Sequence, residues 1–196
     1  MSTPLTDDQI LDALKAAEAI RHGHFVLTSG RHSDTYVQCA RILEDPALTT
    51  KLAQTAVSRL PEGLEIDIVA APAVGGLIIG FAVAQALGVK FIFSERESGT
   101  MVFRRSFEIP PGARVLVVED VVTTGGSVAE VIELVEQSGG RVAGVVSLID
   151  RGGERAFDAP YWPLLRLKVE SWEPALCSQC ADGVEVYSPG SRRIGS

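Results

Sequence analysis

Cysteine is scarce in this 196-residue chain: there are three, an odd number. No disulfide framework follows, and the sequence points to a reducing compartment, the cytoplasm. Long apolar runs are missing too. The nearest approach, Val69 to Leu87, is broken by Pro72, Gly75, Gly76 and Gly80, so no membrane-spanning helix is expected. Met1 to Asp8 is polar and acidic, unlike a signal peptide. Positive charge is in short supply. With 18 Lys and Arg against 25 Asp and Glu, the net charge is −7, which argues against general nucleic-acid binding. An anionic ligand must therefore be met by local cations, not by a global field. Apolar residues are plentiful at 46 %, enough for one domain with a real core and too many for a disordered chain. No internal repeat or low-complexity tract is visible.

The apolar periodicity organises the rest. Thr6 and Gln9 fit a capping box ahead of a helix reaching about Arg21, with Ile10, Leu11, Leu14, Ala17 and Ile20 on one face and Gly23 ending it. Phe25 to Leu27 and Thr35 to Cys39 read as short strands around the turn Ser29-Gly30-Arg31-His32-Ser33. A second helix runs from Pro46, suited to a first turn, to Arg59. Then comes a regular alternation: strand Ile66 to Ala71, helix Gly75 to Leu87, strand Val89 to Phe93, strand Arg114 to Val118, helix Gly126 to Ser138, strand Val142 to Ile149. That rhythm predicts an α/β fold with a central parallel sheet flanked by helices. Two segments break it. Ser94 to Gly112 is long and charged, a mobile loop or an extended hairpin. Glu170 to Ser196 has little periodicity.

The chemistry concentrates in Val115-Leu116-Val117-Val118-Glu119-Asp120-Val121-Val122-Thr123-Thr124-Gly125-Gly126-Ser127. An apolar, β-branched run suits a strand buried on both faces. The acids then stand at its C-terminal end, where open α/β sheets bind ligands. The Thr-Thr-Gly-Gly-Ser turn offers amides and hydroxyls at a helix N-terminus, a site for phosphate. No Gly-Lys-Ser/Thr follows and no Gly-x-Gly-x-x-Gly is present, so this is neither a Walker A loop nor a dinucleotide fingerprint. Carboxylates beside a phosphate cradle suit a sugar phosphate with a free diol. Three further segments carry information. Ala71-Pro72-Ala73-Val74-Gly75-Gly76 joins a strand to a helix with small residues that permit close backbone approach. Phe25 to Tyr36 contains Ser29-Gly30-Arg31-His32-Ser33. Asp150-Arg151 ends a strand; it is either a surface ion pair or a guanidinium fork for a planar carboxylate.

Together these segments resemble the type I phosphoribosyltransferases. The Val115 to Ser127 stretch is similar to the family's motif for 5-phosphoribosyl pyrophosphate (PRPP), and Ala71 to Gly76 to its pyrophosphate loop. The Ser29 to Ser33 turn and Arg151 are similar to the signature and carboxylate-binding arginine of the orotate phosphoribosyltransferases. The resemblance covers roughly Phe25 to Arg151. It implies the type I fold with a small N-terminal hood, in one domain: hood elements at about 1–45 and 160–196, including a strand near Leu164 to Val169, and core at about 46–155. It implies that Glu119 and Asp120 hold the ribose diol and that Thr123, Thr124, Gly125, Gly126 and Ser127 bind the 5-phosphate. It places Ala73, Val74 and Gly75 at the pyrophosphate. Thr123, Arg151, Ser29, Gly30 and Tyr36 are implied to meet orotate. Glu119, Asp120 and Arg96 are the implied catalytic residues.

Two departures from the family pattern stand out. Thr28 occupies a position that is often lysine. The segment from Glu95 to Phe107, where the family has its catalytic lid, carries Arg96, Arg104 and Arg105 but no lysine or histidine. These arginines are implied to neutralise pyrophosphate electrostatically, since arginine does not donate a proton near neutral pH. Cys177-Ser178-Gln179-Cys180 is half a metal site; reduced structural thiols are the default reading, and His22, His24 and His32 show no ligand spacing. The resemblance implies transfer of the phosphoribosyl group from PRPP to orotate, giving orotidine 5-monophosphate and pyrophosphate in pyrimidine biosynthesis. Magnesium is the implied cofactor, bound mainly through PRPP with no direct protein ligand, and a homodimer the implied assembly. The alternatives are a transferase for a purine or other base, and a non-catalytic PRPP-sensing regulator of the same fold.

Overall fold

The structure, a computed structural model, describes residues 3–27 and 29–189. The capping box is present. The Thr6 hydroxyl accepts from the Gln9 amide at 3.3 Å and the Gln9 side chain accepts from the Thr6 amide at 3.0 Å, opening helix α1 (Asp7–Ala16). The helix is shorter than the sequence periodicity predicts. Glu18 takes a left-handed φ of 51°, which reverses the chain, and Ile20 and Arg21 enter strand β1 (Ile20–Val26). Gly23 therefore sits within a strand and does not end a helix. Strand β2 (His32–Val37) pairs antiparallel with β1 in a hairpin that stands apart from the main sheet. A short helix α2 (Ala40–Leu43) leads to α3 (Pro46–Ser58), started by the Asp45 carboxylate accepting from the Ala47 and Leu48 amides, with Pro46 in the first turn.

The core follows: β3 (Ile68–Pro72), α4 (Gly76–Leu87), β4 (Lys90–Glu97), β5 (Thr100–Phe103), β6 (Arg114–Val122), α5 (Gly126–Gln137), β7 (Arg141–Asp150) and β8 (Tyr161–Arg166). The sheet order is β5-β4-β3-β6-β7-β8, parallel throughout except for β5, which runs antiparallel to β4. Successive residues of a strand face opposite sides, and β6 shows the consequence. Leu116 and Val118 join one apolar cluster with Leu14, Leu52, Ile79 and Val83. Val115 and Val117 join a second with Val128, Val131 and Val135 of α5. Helices cover both faces, so β6 needs apolar residues at consecutive positions.

One expectation is narrowed and another changes. Ser94 to Gly112 is in part a hairpin: β4 extends to Glu97 and turns through Ser98 and Gly99, both at positive φ, into β5. The strand near Leu164 to Val169 does not belong to the hood. It is β8, the edge of the core sheet, and it pairs parallel to β7 because Leu164 and Leu165 bury their side chains against the core. The β1–β2 hairpin is met instead by residues 170–187, which include a 3-10 turn (Pro174–Leu176) and helix α6 (Ser178–Ala181). Tyr187 bridges to Phe25 and Trp172 to His32.

Candidate active site

The acids emerge at the C-terminal end of the central strand. Glu119 is buried and Asp120 half-buried. The Asp120 amide donates to Glu119 Oε1 at 3.1 Å, and the Val121 amide donates to Asp120 Oδ1 at 2.8 Å. Burial first, and the neighbouring Asp120 charge second, push the Glu119 carboxyl well above its ordinary value. The loop between β3 and α4 lies directly against this pair. A Cβ on Gly75 would stand 2.6 Å from Asp120 Oδ1, and one on Gly76 would stand 2.9 Å from the Val118 carbonyl and 3.3 Å from Glu119 Oε1. Only glycine permits that approach. Ala73 and Val74 precede it across a cis peptide, with Val74 80 % exposed.

Beyond the acids the chain turns through Thr123 to Gly125 into α5. Gly125 holds φ at 75° against the Phe157 ring, which a Cβ would meet at 2.5 Å. A cleft of about 300 Å³ opens here, lined by Glu119, Thr123 to Ser127 and Arg96. The α5 N-terminus faces it with unpaired amides. A second cleft, about 480 Å³, lies on the other side of the same turn. Thr123 and Thr124 line both, joined in the second by Ser29, Arg31, Arg151 and Ser171. Backbone bonds fix the two together: the Arg151 amide donates to the Val122 carbonyl at 2.9 Å, and the Ala156 amide to Thr124 at 2.8 Å.

Arg151 is not in a surface ion pair with its neighbour. Asp150 lies 3.6 Å from Arg166 instead. The Arg151 Nε is buried without a hydrogen-bond partner, and burial presses the guanidinium below its ordinary value although Tyr36 opposes this. Tyr36, half-buried against Phe25, has its own hydroxyl raised, chiefly by burial and against the pull of Arg151. Ser29 lines the second cleft, while Gly30, at φ 81°, shapes the turn. Thr28 lies outside the described residues.

The loop arginines divide. Arg96 lines the first cleft but its Nη2 donates to Glu130 of α5 at 2.7 Å and its Nη1 to the Gly99 carbonyl at 2.8 Å. Arg104 pairs with Glu97 at 3.3 Å, and Arg105 pairs with both oxygens of Glu95 at 3.0 and 3.1 Å while covering the Phe93 ring. Neither lines either cleft. Sequence reasoning missed Arg31, held by the Ser171 hydroxyl at 3.0 Å and by Glu173, and the Gly152-Gly153 turn that follows Arg151. The glycine pair was a visible signal, whereas the Arg31 partners are some 140 residues away in sequence.

The comparisons with known proteins agree with this geometry. The family model described as the phosphoribosyl transferase domain matches residues 38–176. The orotate phosphoribosyltransferase of Heliobacterium modesticaldum is 47 % identical over 190 residues, covering 96 % of this chain and 100 % of that protein. Among solved structures, the orotate phosphoribosyltransferase of Aeropyrum pernix aligns with a TM-score of 0.69 at 30 % identity, over 81 % of this chain and 94 % of that one. The adenine phosphoribosyltransferase of Saccharomyces cerevisiae aligns with a TM-score of 0.62 at 24 % identity, over 78 % and 98 %, so enzymes named for different bases share the fold. By its matched domain and its near full-length similarity to curated relatives, the chain belongs to the phosphoribosyltransferase family, alongside the orotate phosphoribosyltransferases.

Proposed function

We propose that the protein transfers the 5-phosphoribosyl group of PRPP to orotate, forming orotidine 5-monophosphate and releasing pyrophosphate. The observation that carries this reading is one shared wall. Thr123 and Thr124 separate a cleft with a carboxylate pair and a helix N-terminus from a cleft holding a buried, unpartnered guanidinium edge. A phosphorylated diol matches the first and a planar carboxylate matches the second.

In this reading the amides and hydroxyls of Thr123 to Ser127 bind the 5-phosphate, while Glu119 and Asp120 hold the ribose hydroxyls. A Glu119 that retains its proton easily lowers the repulsion an acid pair would otherwise offer to an anionic substrate. Ala73 to Gly75 approach the pyrophosphate with their backbone. Arg151 pairs the orotate carboxylate, Ser29 and Thr123 meet the base from the same cleft, and Gly30 and Tyr36 act from beside it. The bond from ribose C1 to the pyrophosphate oxygen breaks as the bond to the orotate ring nitrogen forms. The protein's task is positioning and stabilisation of developing charge. Arg96 exchanges its Glu130 partner for the leaving pyrophosphate as the β4–β5 hairpin closes and excludes water. Arg104 and Arg105 start further away, in surface pairs that are cheap to break.

The donor set fits magnesium held chiefly by the substrate, with Glu119 and Asp120 as the carboxylates on the diol side. When bound, magnesium screens charge on the leaving group. A homodimer is part of the proposal and is consistent with the exposed Ile78 and Phe81 on α4. Cytoplasmic residence is consistent with the three free cysteines.

The test is direct. The protein is incubated with PRPP, magnesium and orotate while orotate absorbance is followed, with adenine, hypoxanthine and uracil in parallel. Orotate-dependent turnover alone is expected. Turnover of a purine base would favour a purine transferase, and PRPP binding without turnover of any base would favour a regulator.

A further inference from the structure

Along the sequence Cys177-x-x-Cys180 is half a metal site, and His24 and His32 show no ligand spacing. Folding completes the set. The β1–β2 hairpin places His24 Nε2 2.9 Å from His32 Nδ1. The tail brings Cys177 Sγ to 3.4 Å from His24 Nε2, and Cys180 Sγ to 3.6 Å from that nitrogen and 3.2 Å from His32 Nδ1. All four donor atoms lie within 4.8 Å of one another. Zinc bonds of about 2.3 Å to sulfur and about 2.0–2.1 Å to nitrogen set the ligand atoms of a tetrahedral site about 3.3–3.8 Å apart. Four of the six separations, 2.9 to 3.6 Å, sit at or inside that spacing, and the other two stay within 4.8 Å.

The surroundings support a ligand role. His24 Nδ1 lies 2.8 Å from the Val184 carbonyl, which can only accept. The proton therefore resides on Nδ1, and the lone pair of Nε2 points at the other three donors. Such an outer hydrogen bond is how ligating histidines are oriented. His24, His32 and Cys177 are 4 %, 8 % and 4 % exposed, so this is not a chance meeting of surface side chains. The hood and tail have little apolar support of their own: Phe25 packs on Tyr36 and Tyr187, and among the described residues neither of the two apolar clusters takes a buried residue from 21–36 or from 170–187. Small substructures without a core are commonly held by a metal or a disulfide. The two segments instead exchange backbone bonds: Tyr187 to His24 at 2.8 Å, Val26 to Tyr187 at 3.0 Å, and a reciprocal pair between His32 and Trp172 at 2.8 Å.

We propose that His24 Nε2, His32 Nδ1, Cys177 Sγ and Cys180 Sγ bind a structural zinc ion that clips the C-terminal segment onto the β1–β2 hairpin. Two thiols lose their protons to solvent on binding, and the two thiolates balance the charge of the ion, so the unit is neutral, with Cys180 on its exposed side. A mixed thiolate and imidazole set in this arrangement suits zinc. Four protein ligands leave no open position, which makes the site structural. The clip holds the turn 29–33 over the second cleft, because His32 and Arg31, which is anchored to Ser171 and Glu173 of the C-terminal segment, both lie in that turn. The proposal does not depend on the transferase reading.

The experiment is elemental analysis of the full-length protein, expressed with added zinc and purified without chelator. About one zinc per chain is expected. The variants C177S and C180S should lose it, while C39A and H22A, altered outside the cluster, should keep it. Should the variants fail to fold, the unaltered protein decides. Stripped with a chelator and reloaded with cobalt(II), it should show the visible bands and thiolate charge-transfer absorption of tetrahedral cobalt, displaced by equimolar zinc. Alkylation of Cys180 should be blocked by zinc and restored by chelation. A metal-free protein without a cobalt spectrum would overturn the proposal. So would zinc retained by C177S and C180S, equimolar iron or copper in place of zinc, or a Cys177–Cys180 disulfide in protein purified without oxidant.

Discussion

The C-terminal end of the sheet and the hood over it solve the same problem, holding side chains in place, by opposite means. The acid pair rests on β6, whose neighbours on either side are parallel strands and whose residues Val115 to Val118 are fully buried. Its precision comes from apolar packing and from ladders on both sides, the one to β7 carrying a single register shift between Val115 and Leu116. The hood has a two-stranded hairpin and an irregular tail, joined by a few backbone bonds, the Arg31 pairs and the Cys/His cluster. A two-stranded hairpin is marginal by itself, so its position is set by polar and metal-ligating groups. In the proposed function the packed half takes the sugar phosphate and the half held by polar groups takes the base.

The largest expected effect tests whether the halves are functionally separate. Arg151→Ala removes the half-buried cation from the second cleft only. We expect a loss of about 2–5 kcal/mol in kcat/KM for orotate, with PRPP affinity, measured by calorimetry, nearly unchanged. Equal loss of both would mean that the clefts are one site energetically.

The next contrast is between the two kinds of support. Ile149→Ala cuts a fully buried side chain out of the β7 core and should lower global stability by about 2–5 kcal/mol in denaturant unfolding. Phe25→Ala removes the ring that packs on Tyr36 and Tyr187 in the hood. It should leave the main transition close to its original midpoint while raising the KM for orotate and speeding amide exchange in 20–37. A common shift of both transitions would show one cooperative unit.

A subtler effect follows from Glu119. Its folded-state pKa lies well above the unfolded carboxylate value, so the folded state holds the proton more tightly. Stability therefore falls as pH rises from about 4.3, the unfolded value, through the raised folded one. Glu119→Gln should flatten that slope in pH-dependent unfolding and leave stability at neutral pH no lower. An unchanged slope would locate the effect elsewhere. The smallest effect is at the opposite, N-terminal end of the central strands β3 and β6. The Arg114 guanidinium beside Asp67 holds its carboxyl down at about 2. The contribution of that pair is present above the unfolded carboxylate value and is lost as pH falls through about 2. Asp67→Asn should remove this shallow acid-side slope without touching either cleft, as pH-dependent melting will show.

Much of the core was legible in the sequence because its signals are local. The alternation of apolar strand, small-residue turn and amphipathic helix from Ile66 to Ile149 needs only neighbours a few positions away to be read. So does the placement of Glu119, Asp120 and the Thr123–Ser127 turn. The first helix was read too long because Ala17 and Ile20 continue its apolar stripe, while the left-handed Glu18 leaves no compositional mark. β8 was read into the hood because nothing near Leu164 states which strand it will pair with. The lid arginines were visible, but not that Glu130, Glu97 and Glu95 hold them.

The sequence by itself determined the parallel α/β core, the acid pair at the end of its central strand and the Thr/Gly turn beyond it. Each is specified by residues contiguous in the chain, through periodicity, β-branching and glycine. Tertiary structure alone decided that Thr123 and Thr124 face two clefts, that the Nε of Arg151 is buried without a partner, and that two histidines from a hairpin meet two cysteines some 150 residues away. Those are long-range coincidences of position. Chain topology and packing fix them, and no local pattern encodes which distant residue will arrive.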